Sequence, residues 1–177
     1  MLVILSGLPG TGKTTIAREL ARQLKGVHVR IDSIEQAIER SSVLLGPMND
    51  AGYRVGYAIA EDNLRLGHIV IADSVNPLEL TRNAWLRVAA RTKSTAVEIE
   101  IQCSDEKQHK QRLKTRETNI PGQSLVTWDQ VLAPEYENWT REHFIIDTAD
   151  QSLQDTADAV LKQLQAVRAS FGPPRGP

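Results

Sequence analysis

The sequence predicts an α/β fold, a parallel sheet with helices packed against its faces. Three observations carry that expectation. Short apolar runs bounded by turn signals alternate with longer segments whose apolar residues recur at helical spacing. Residues 1–15 run as an apolar strand, a glycine-rich turn and the start of a helix. The 177 residues are 41% hydrophobic and 24% charged, an ordinary balance for one globular domain with a sizeable core. Strands that alternate with helices pair in parallel through right-handed crossovers.

Leu2–Leu5 read as a buried strand. Gly7 to Thr14 then spell G-x-x-x-x-G-K-T, the phosphate-binding P-loop. Glycines let the backbone turn tightly and aim successive N–H groups inward, forming a concave anion site. A helix starting at about Lys13 adds the partial positive charge of its N-terminus. The Lys13 ammonium can reach the β- and γ-phosphates, and the Thr14 hydroxyl can ligate Mg²⁺. Gly7, Leu8, Pro9, Gly10, Thr11, Gly12, Lys13, Thr14 and Thr15 are therefore the expected nucleotide-binding residues. Ile16, Leu20, Ala21 and Leu24 carry the helix onward, and Gly26 suits its end.

Val27–Ile31 form a second strand with unlike faces. Val27, Val29 and Ile31 share one, while His28, Arg30 and Asp32 share the other. A central parallel strand is apolar on both faces, so this one belongs at an edge or opens into a cleft. Asp32-Ser33 offer an N-cap for a helix through Ile34, Ala37 and Ile38. Residues 41–49, with Gly46-Pro47, read as a loop. A helix over 50–66 carries Tyr53, Tyr57, Ala60 and Leu64 on one stripe, and Gly67 closes it. Ile69–Asp73 is continuously apolar up to its final acid, as a central strand is. Pro77 restricts Asn76 to extended backbone and makes 74–77 a loop. A helix over 78–91 turns Leu78, Trp85, Val88 and Ala89 inward.

Residues 95–103 form a fourth strand, with Val97, Ile99 and Ile101 on one face. A polar helix over 105–116 has Leu113 as its main apolar anchor, and 117–125, with Pro121-Gly122, read as an exposed loop. Thr127 and Gln130 make a capping box for a helix towards Trp139 that Pro134 interrupts. Residues 143–147 form a fifth strand. A last helix over 152–167 buries Leu153, Ala157, Val160, Leu161 and Leu164. One domain over 1–168 is expected, followed by a flexible Gly-Pro-rich tail over 169–177.

Bulk properties remove several classes. Lys plus Arg is 21 and Asp plus Glu is 22, so the net charge of −1 makes no case for nucleic acid or an anionic membrane surface. No apolar run approaches the ~18 residues needed to span a bilayer, and the N-terminal run lacks the basic flank of a signal peptide. The single cysteine, Cys103, precludes a disulfide framework within one chain, so a reducing cytoplasm is expected. Cys103 reads as a small buried apolar residue. The four histidines show no metal-ligand spacing and read as structural or exposed.

The class of phosphate chemistry is read partly from absences. GTPases carry a base-reading N-K-x-D, and none occurs here; Asp73 is followed by Ser-Val-Asn rather than the D-x-x-G of their switches. Ring-forming ATPases need further helical modules. Small kinases remain. Gly-Leu-Pro-Gly-Thr-Gly-Lys-Thr-Thr, the Arg-Ile-Asp-Ser after the second strand and Ile-Val-Ile-Ala-Asp-Ser-Val-Asn-Pro at the third carry a resemblance to that class. The chain resembles the small P-loop kinases, the AAA-like ATP-binding group that contains chloramphenicol phosphotransferase, zeta toxin and the kinase half of polynucleotide kinase. Gluconate and shikimate kinases are more distant. The resemblance spans most of residues 1–165. It implies a three-layer P-loop fold whose five-stranded parallel sheet runs 2-3-1-4-5, with a short lid. That order makes strand 2 an edge, in agreement with its half-polar face.

Ligands of open α/β sheets bind outside the carboxyl ends of the strands. Asp32 lies there and can accept the proton of an attacking hydroxyl as a γ-phosphoryl leaves ADP, or it can simply cap a helix. In the resembling kinases the matching Asp is the catalytic base or the acceptor-hydroxyl anchor. Asp73 ends its strand in the manner of a Walker B carboxylate, able to hold Mg²⁺ through water beside Thr14, or stands as a polar strand terminus. Arg112 and Arg116, spaced i, i+4, share one helix face. They look like lid arginines that close over a transferring phosphate, although Lys107, Lys110 and Lys114 make the segment basic in any case. The resemblance implies acceptor-binding groups near Asn76 and Arg82, while Arg82 reads equally as solvated. Arg40, Arg54, Tyr53 and Tyr57 flank the acceptor region, where tyrosines usually pack in cores. Asp147 and Thr148 lie on the adenine-side loop of the resembling kinases, which works through its backbone. The catalytic set expected is Lys13, Asp32, Arg112 and Arg116, with Thr14 and Asp73 at the metal. The expected activity is transfer of the γ-phosphate of Mg-ATP to a hydroxyl of a small molecule. A polynucleotide or nucleotide-sugar kinase and a regulatory NTPase are the alternatives.

Overall fold

β1 (Leu2–Ser6) is buried along its whole length because helices cover both faces of the sheet it centres. The structure is a computed structural model that describes residues 1–41, 47–116, 120, 126–132 and 136–171. Around β1 stand β2 (Val27–Arg30), β3 (Val70–Asp73), β4 (Ala96–Gln102) and β5 (Phe144–Asp147), all parallel, in the order β2-β3-β1-β4-β5. The order agrees with the resemblance, and the half-polar β2 is an edge strand. Residues 42–46 of the expected loop over 41–49, residues 117–119 and 121–125 of the expected loop over 117–125, the break at Pro134 and the tail beyond residue 171 lie outside the described residues.

Strand alternation sorts the core into two layers. Leu2, Ile4, Val70 and Ala72 face α3 (Ala51–Arg65) and α4 (Glu79–Arg91), where Ala60, Leu64, Trp85, Val88 and Ala89 close one core. Val3, Leu5, Ile71, Ile99 and Ile101 face α1 (Lys13–Leu24) and α7 (Leu153–Phe171), packed on Ile16, Ala17, Leu20, Val160 and Leu164. Two short helices complete the set with α5 (Glu106–Thr115): α2 (Ile31–Glu39) and α6 (Trp128–Leu132). The Thr127–Gln130 capping box forms as expected: Thr127 N–H donates to Gln130 Oε1 at 2.9 Å and Gln130 N–H returns to Thr127 Oγ1 at 3.4 Å.

Several expectations are corrected. α1 is terminated by Lys25 in the left-handed conformation (φ 49°), not by Gly26. Gly26 serves close packing instead, since a Cβ there would lie 2.6 Å from Ile71 Cδ1. α2 begins at Ile31 with Arg30 as its N-cap, so Asp32 and Ser33 sit in the first turn and cap nothing. Leu78 and Leu153 stand at helix starts and are exposed rather than inward. α7 runs past Val167 to Phe171, so residues 169–171 are helical rather than tail.

Asn76 is the largest departure. Proline should keep it extended, yet its φ is +49°. Side-chain bonding holds it there. Its Nδ2 donates to Ser6 Oγ at 3.1 Å and towards Leu5 O at 3.4 Å, and its Oδ1 accepts from Trp85 Nε1 at 3.1 Å. Its carbonyl accepts from Arg82 Nε at 2.9 Å, and its N–H donates to the Tyr53 hydroxyl at 3.2 Å. Asparagine tolerates the left-handed region because its short amide can bond locally. The loop after β3 is thereby stitched to the start of the P-loop, where Gly7 N–H donates to Val75 O at 3.1 Å.

Asn76→Ala strands the Trp85 N–H in the core and places a methyl-bearing residue at positive φ. It is expected to lower unfolding stability by about 2–4 kcal/mol, read from urea midpoints. A loss below about 0.5 kcal/mol would show that the loop is held by something else.

Candidate active site

The carboxyl ends of β1, β2 and β3 open into a cavity of about 520 Å³. Glycines shape its floor. Gly7 (φ 133°) lets the loop leave β1 against β4, where a Cβ would sit 2.2 Å from Ile101 O. Gly10 (φ 86°) does the same against Leu113 of α5, with 2.7 Å to Cδ2. The His109 ring supports this turn from behind, 2.7 Å from Pro9 O and edge-on to Trp128. Pro9, Gly10, Gly12, Lys13, Thr14 and Thr15 line the cavity. Gly7, Leu8 and Thr11 form the back of the loop and face a separate cavity towards Trp139 and His143.

Lys13 is 7% exposed, and its Nζ donates to Leu8 O at 2.8 Å. Burial lowers its pKa to about 8, against the upward pull of Asp73 and Asp32. Asp73 is 3% exposed. Burial alone would raise its carboxyl. The His28 hydrogen bond, the Lys13 charge and the Thr14 hydroxyl outweigh that and hold it below the usual carboxylate range. His28 Nε2 stands 3.0 Å from Asp73 Oδ2, and Arg30 Nε stands 3.9 Å from the same oxygen. Thr14 and Asp73, expected together, are together. His28 reads as structural in the sequence and is instead a neighbour of the site. Its half-polar strand face was the available signal, but the pairing spans 45 positions.

Asp32 projects into the cavity from the first turn of α2, one-third exposed. Arg30 NH2 approaches its Oδ2 to 3.4 Å and Arg116 NH2 to 3.9 Å. The two α5 arginines part company. Arg116 turns to Asp32, whereas Arg112 donates to Thr148 Oγ1 at 2.7 Å, Thr148 O at 2.8 Å and Gln108 Oε1 at 2.6 Å. Both line the cavity. Thr148 is buried, and its hydroxyl lies 2.9 Å from Thr11 O and from Gln102 O. Its side chain therefore ties this loop to the P-loop and to α5. Asp147 accepts from Ser104 N–H and Ala149 N–H, each at 3.0 Å, and shapes the same loop.

Other residues fall elsewhere. Arg82 is 1% exposed, neither solvated nor turned to an acceptor. It donates to Pro77 O at 2.9 Å and Glu137 O at 2.5 Å, under the rings of Tyr136 and Trp139. Arg54 is exposed on Asp50, and Arg40 is exposed. Tyr57 packs edge-on against Trp85. Cys103 is half-buried with Sγ near Asp105 O, not a core residue. His143 is held at Glu100 and stacks on Trp139.

Two further polar groups carry no signal in the sequence. Ser74 is 3% exposed, lines the cavity, and its Oγ is buried without a hydrogen-bond partner among the described residues. Glu35 sits one turn beyond Asp32 on α2, packed on the bare backbone of Gly52, where a Cβ would lie 2.2 Å from its Cγ. Burial, with Asp32 and Glu39 beside it, pushes its carboxyl up to about 7.

The chain matches the AAA domain family AAA_33 over residues 2–134. It is 26% identical over 180 residues to a probable adenylyl-sulfate kinase of Aeropyrum pernix, covering 94% of this chain and 93% of that protein. The fold superposes on the Mycobacterium tuberculosis APS kinase CysC, solved with AMPPNP and APS, with a TM-score of 0.70 at 19% identity, covering 93% and 96% of the two chains. It superposes on a gluconokinase of Sinorhizobium meliloti 1021 with a TM-score of 0.66 at 16% identity, covering 96% and 94%. Among the described residues no helix is long and apolar enough to cross a membrane.

The raised Glu35 carboxyl has a stability consequence. The native chain holds that proton up to about 7, whereas the ordinary value is 4.5. The native state therefore binds more protons between those values, and this contribution is full below 4.5 and lost as pH rises through 7. Glu35→Gln is expected to be more stable than the parent at pH 8 by about 1 kcal/mol, discounted for partial exposure. The gap should shrink towards zero by about pH 5 in urea midpoints. An equal gap at both pH values would contradict the unpaired, half-buried carboxyl.

Proposed function

The chain belongs to the AAA_33 family of AAA domains, and from that premise we propose that it is a P-loop kinase. It would transfer the γ-phosphoryl group of ATP to a hydroxyl of a small-molecule acceptor. One observation carries the reading: Asp32, Lys13, Thr14 and Arg116 face a single cavity, so a phosphate held by the loop lies beside a carboxylate able to take a proton.

The chemistry follows from the placement of charge. The backbone of Gly7 to Thr15 and the start of α1 cradle the β- and γ-phosphates, and Lys13 moves its ammonium from Leu8 O onto them. The acceptor oxygen attacks the γ-phosphorus and forms a new P–O bond. The bond from that phosphorus to the β–γ bridging oxygen breaks, and its electron pair leaves with ADP. Asp32 takes the acceptor's hydroxyl proton. Arg116, beside Asp32, offsets charge on the equatorial oxygens during transfer, while Arg112 secures the Thr148 loop on the nucleoside side. Thr14 and Asp73 supply hard oxygen donors in mutual contact, a fit for Mg²⁺, which when bound neutralises phosphate charge. ATP as donor is supported by relatives solved with AMPPNP or ADP-AlF3. The lone cysteine fits a cytoplasmic setting.

Incubation with γ-labelled ATP and a broad panel of hydroxyl compounds tests the reading. Label should appear in a phosphate ester, and label reaching only water would end it. In the same assay Asp32→Asn should keep ATP affinity within about threefold and lose about 10²–10⁴ in kcat. Undiminished transfer would remove Asp32 as the base. Lys13→Ala should instead weaken ATP binding by about tenfold or more in equilibrium titration.

A further inference from the structure

We infer that His109 is a positioning residue for the P-loop: its ring holds the Pro9 carbonyl behind the loop and so aims the Gly10 N–H at the phosphates of the donor. The inference deepens the phosphate-binding half of the kinase reading and rests on it for the identity of the ligand.

The Pro9–Gly10 peptide plane needs an anchor. Its direction is set by ψ of Pro9 and φ of Gly10. Proline fixes its own φ but not its ψ, and glycine accepts φ of either sign. Gly10 takes φ 86°, where residues with a side chain are uncommon. A plane bounded in this way can turn over at little local cost. Turned over, it would put a carbonyl oxygen where an anion must sit and remove a donor from the concave site.

α5 supplies the anchor. His109 and Leu113, spaced i, i+4, are the buried residues of that helix. His109 is 4% exposed, and its Nε2 lies 2.7 Å from Pro9 O. A carbonyl only accepts, so Nε2 carries a proton and donates it. Leu113 closes on the same turn, since a Cβ on Gly10 would meet its Cδ2 at 2.7 Å and His109 Cδ2 at 3.1 Å. The imidazole is braced in turn by Trp128 of α6, edge-on with 5.1 Å between ring centres.

The consequence lies on the other side of the plane. No described peptide bond is cis, so the Gly10 N–H points opposite to the Pro9 carbonyl. His109 stands behind the loop, among the residues of the cavity towards Trp139, whereas Pro9 and Gly10 line the cavity that holds Lys13 and Asp32. The N–H is thereby directed to the phosphate side. Among the described residues no acceptor takes it, which leaves it for a phosphate oxygen beside Lys13. One imidazole N–H behind the loop fixes one amide N–H in front of it.

Equilibrium titration with Mg²⁺ and the non-hydrolysable analogue AMPPNP tests this without any transfer step. His109→Phe keeps a ring of similar size and loses the donor; it should bind AMPPNP about 10- to 100-fold more weakly, the range of a charge-assisted hydrogen bond. His109→Gln puts an amide N–H at a similar reach and should stay within about threefold of the parent, while His109→Asn, one methylene shorter, should fall with the Phe variant. The Asn variant carries the comparison if the phenyl ring does not fit. The Gly10 amide resonance in ¹⁵N–¹H spectra reads the donor directly. AMPPNP should shift it downfield in the parent and the Gln variant and leave it near its free position in the other two. A Phe or Asn variant within about threefold of the parent overturns the inference. So does a Gln variant as weak as they are, or a Gly10 shift that survives in either of them. A parent that binds AMPPNP but passes label from ATP only to water ends the kinase reading and leaves the His109 assignment standing. A parent that does not bind AMPPNP ends both.

Discussion

The burial of the Lys13 ammonium and the Asp73 carboxylate at one end of the sheet, each favouring the other's charged form, is the constraint on which the rest of the site depends. An ammonium and a carboxylate removed from water must compensate one another, and losing either would leave an uncompensated buried charge. They are brought to the same end of the sheet because β3 lies directly beside β1, with Leu5 opposite Asp73 in the register. That register aligns the end of β3 with the start of the P-loop. His28 and Arg30 of the edge strand β2 then complete the shell around Asp73. An apolar residue at either β2 position would bury well against the sheet but would leave Asp73 short of partners. The half-polar character of β2 is thus a consequence of what lies at the end of its neighbour.

A second layer of polar bonding makes this charged end rigid. Asn76 ties the loop after β3 to Leu5, Ser6 and Trp85, and Arg82 ties the same loop to the 137–138 backbone under two aromatic rings. The Arg82 guanidinium is buried but donates to four backbone carbonyls and meets two π-faces, the arrangement in which burial of Arg is tolerated. The P-loop and the loop after β3 are consequently one bonded unit.

Much of this was legible in the sequence, and the parts that were not share a cause. The P-loop, the position of Asp73 and the edge location of β2 follow from local spelling and strand alternation, which need no knowledge of distant contacts. The 2-3-1-4-5 order came with the family resemblance. What escaped reading depends on packing between remote segments. Arg82 looks solvated because a charged helix residue normally is; only the 136–139 segment folding over α4 encloses it. The φ of Asn76 defies the rule for residues before proline because four hydrogen-bond partners, two of them distant in the chain, outweigh a local preference. Glu35 is unremarkable in sequence, and its isolation follows from the approach of α2 to α3 at Gly52. Arg112 and Arg116 share a helix spacing yet diverge because Arg116 lies at the helix end, in extended backbone.

The central claim is that donor and acceptor groups share one cavity, with the γ-phosphate delivered between Lys13 and Asp32. A crystal structure with Mg²⁺ and a non-hydrolysable ATP analogue tests it most directly. The expected result has Lys13 Nζ released from Leu8 O and bonded to the β- and γ-phosphates, Arg116 near the γ-phosphate oxygens, and Asp32 on the side of the γ-phosphorus away from the leaving oxygen. A γ-phosphate seated with Asp32 on the wrong side of it, or turned out of the cavity towards Trp139 and His143, would contradict the account.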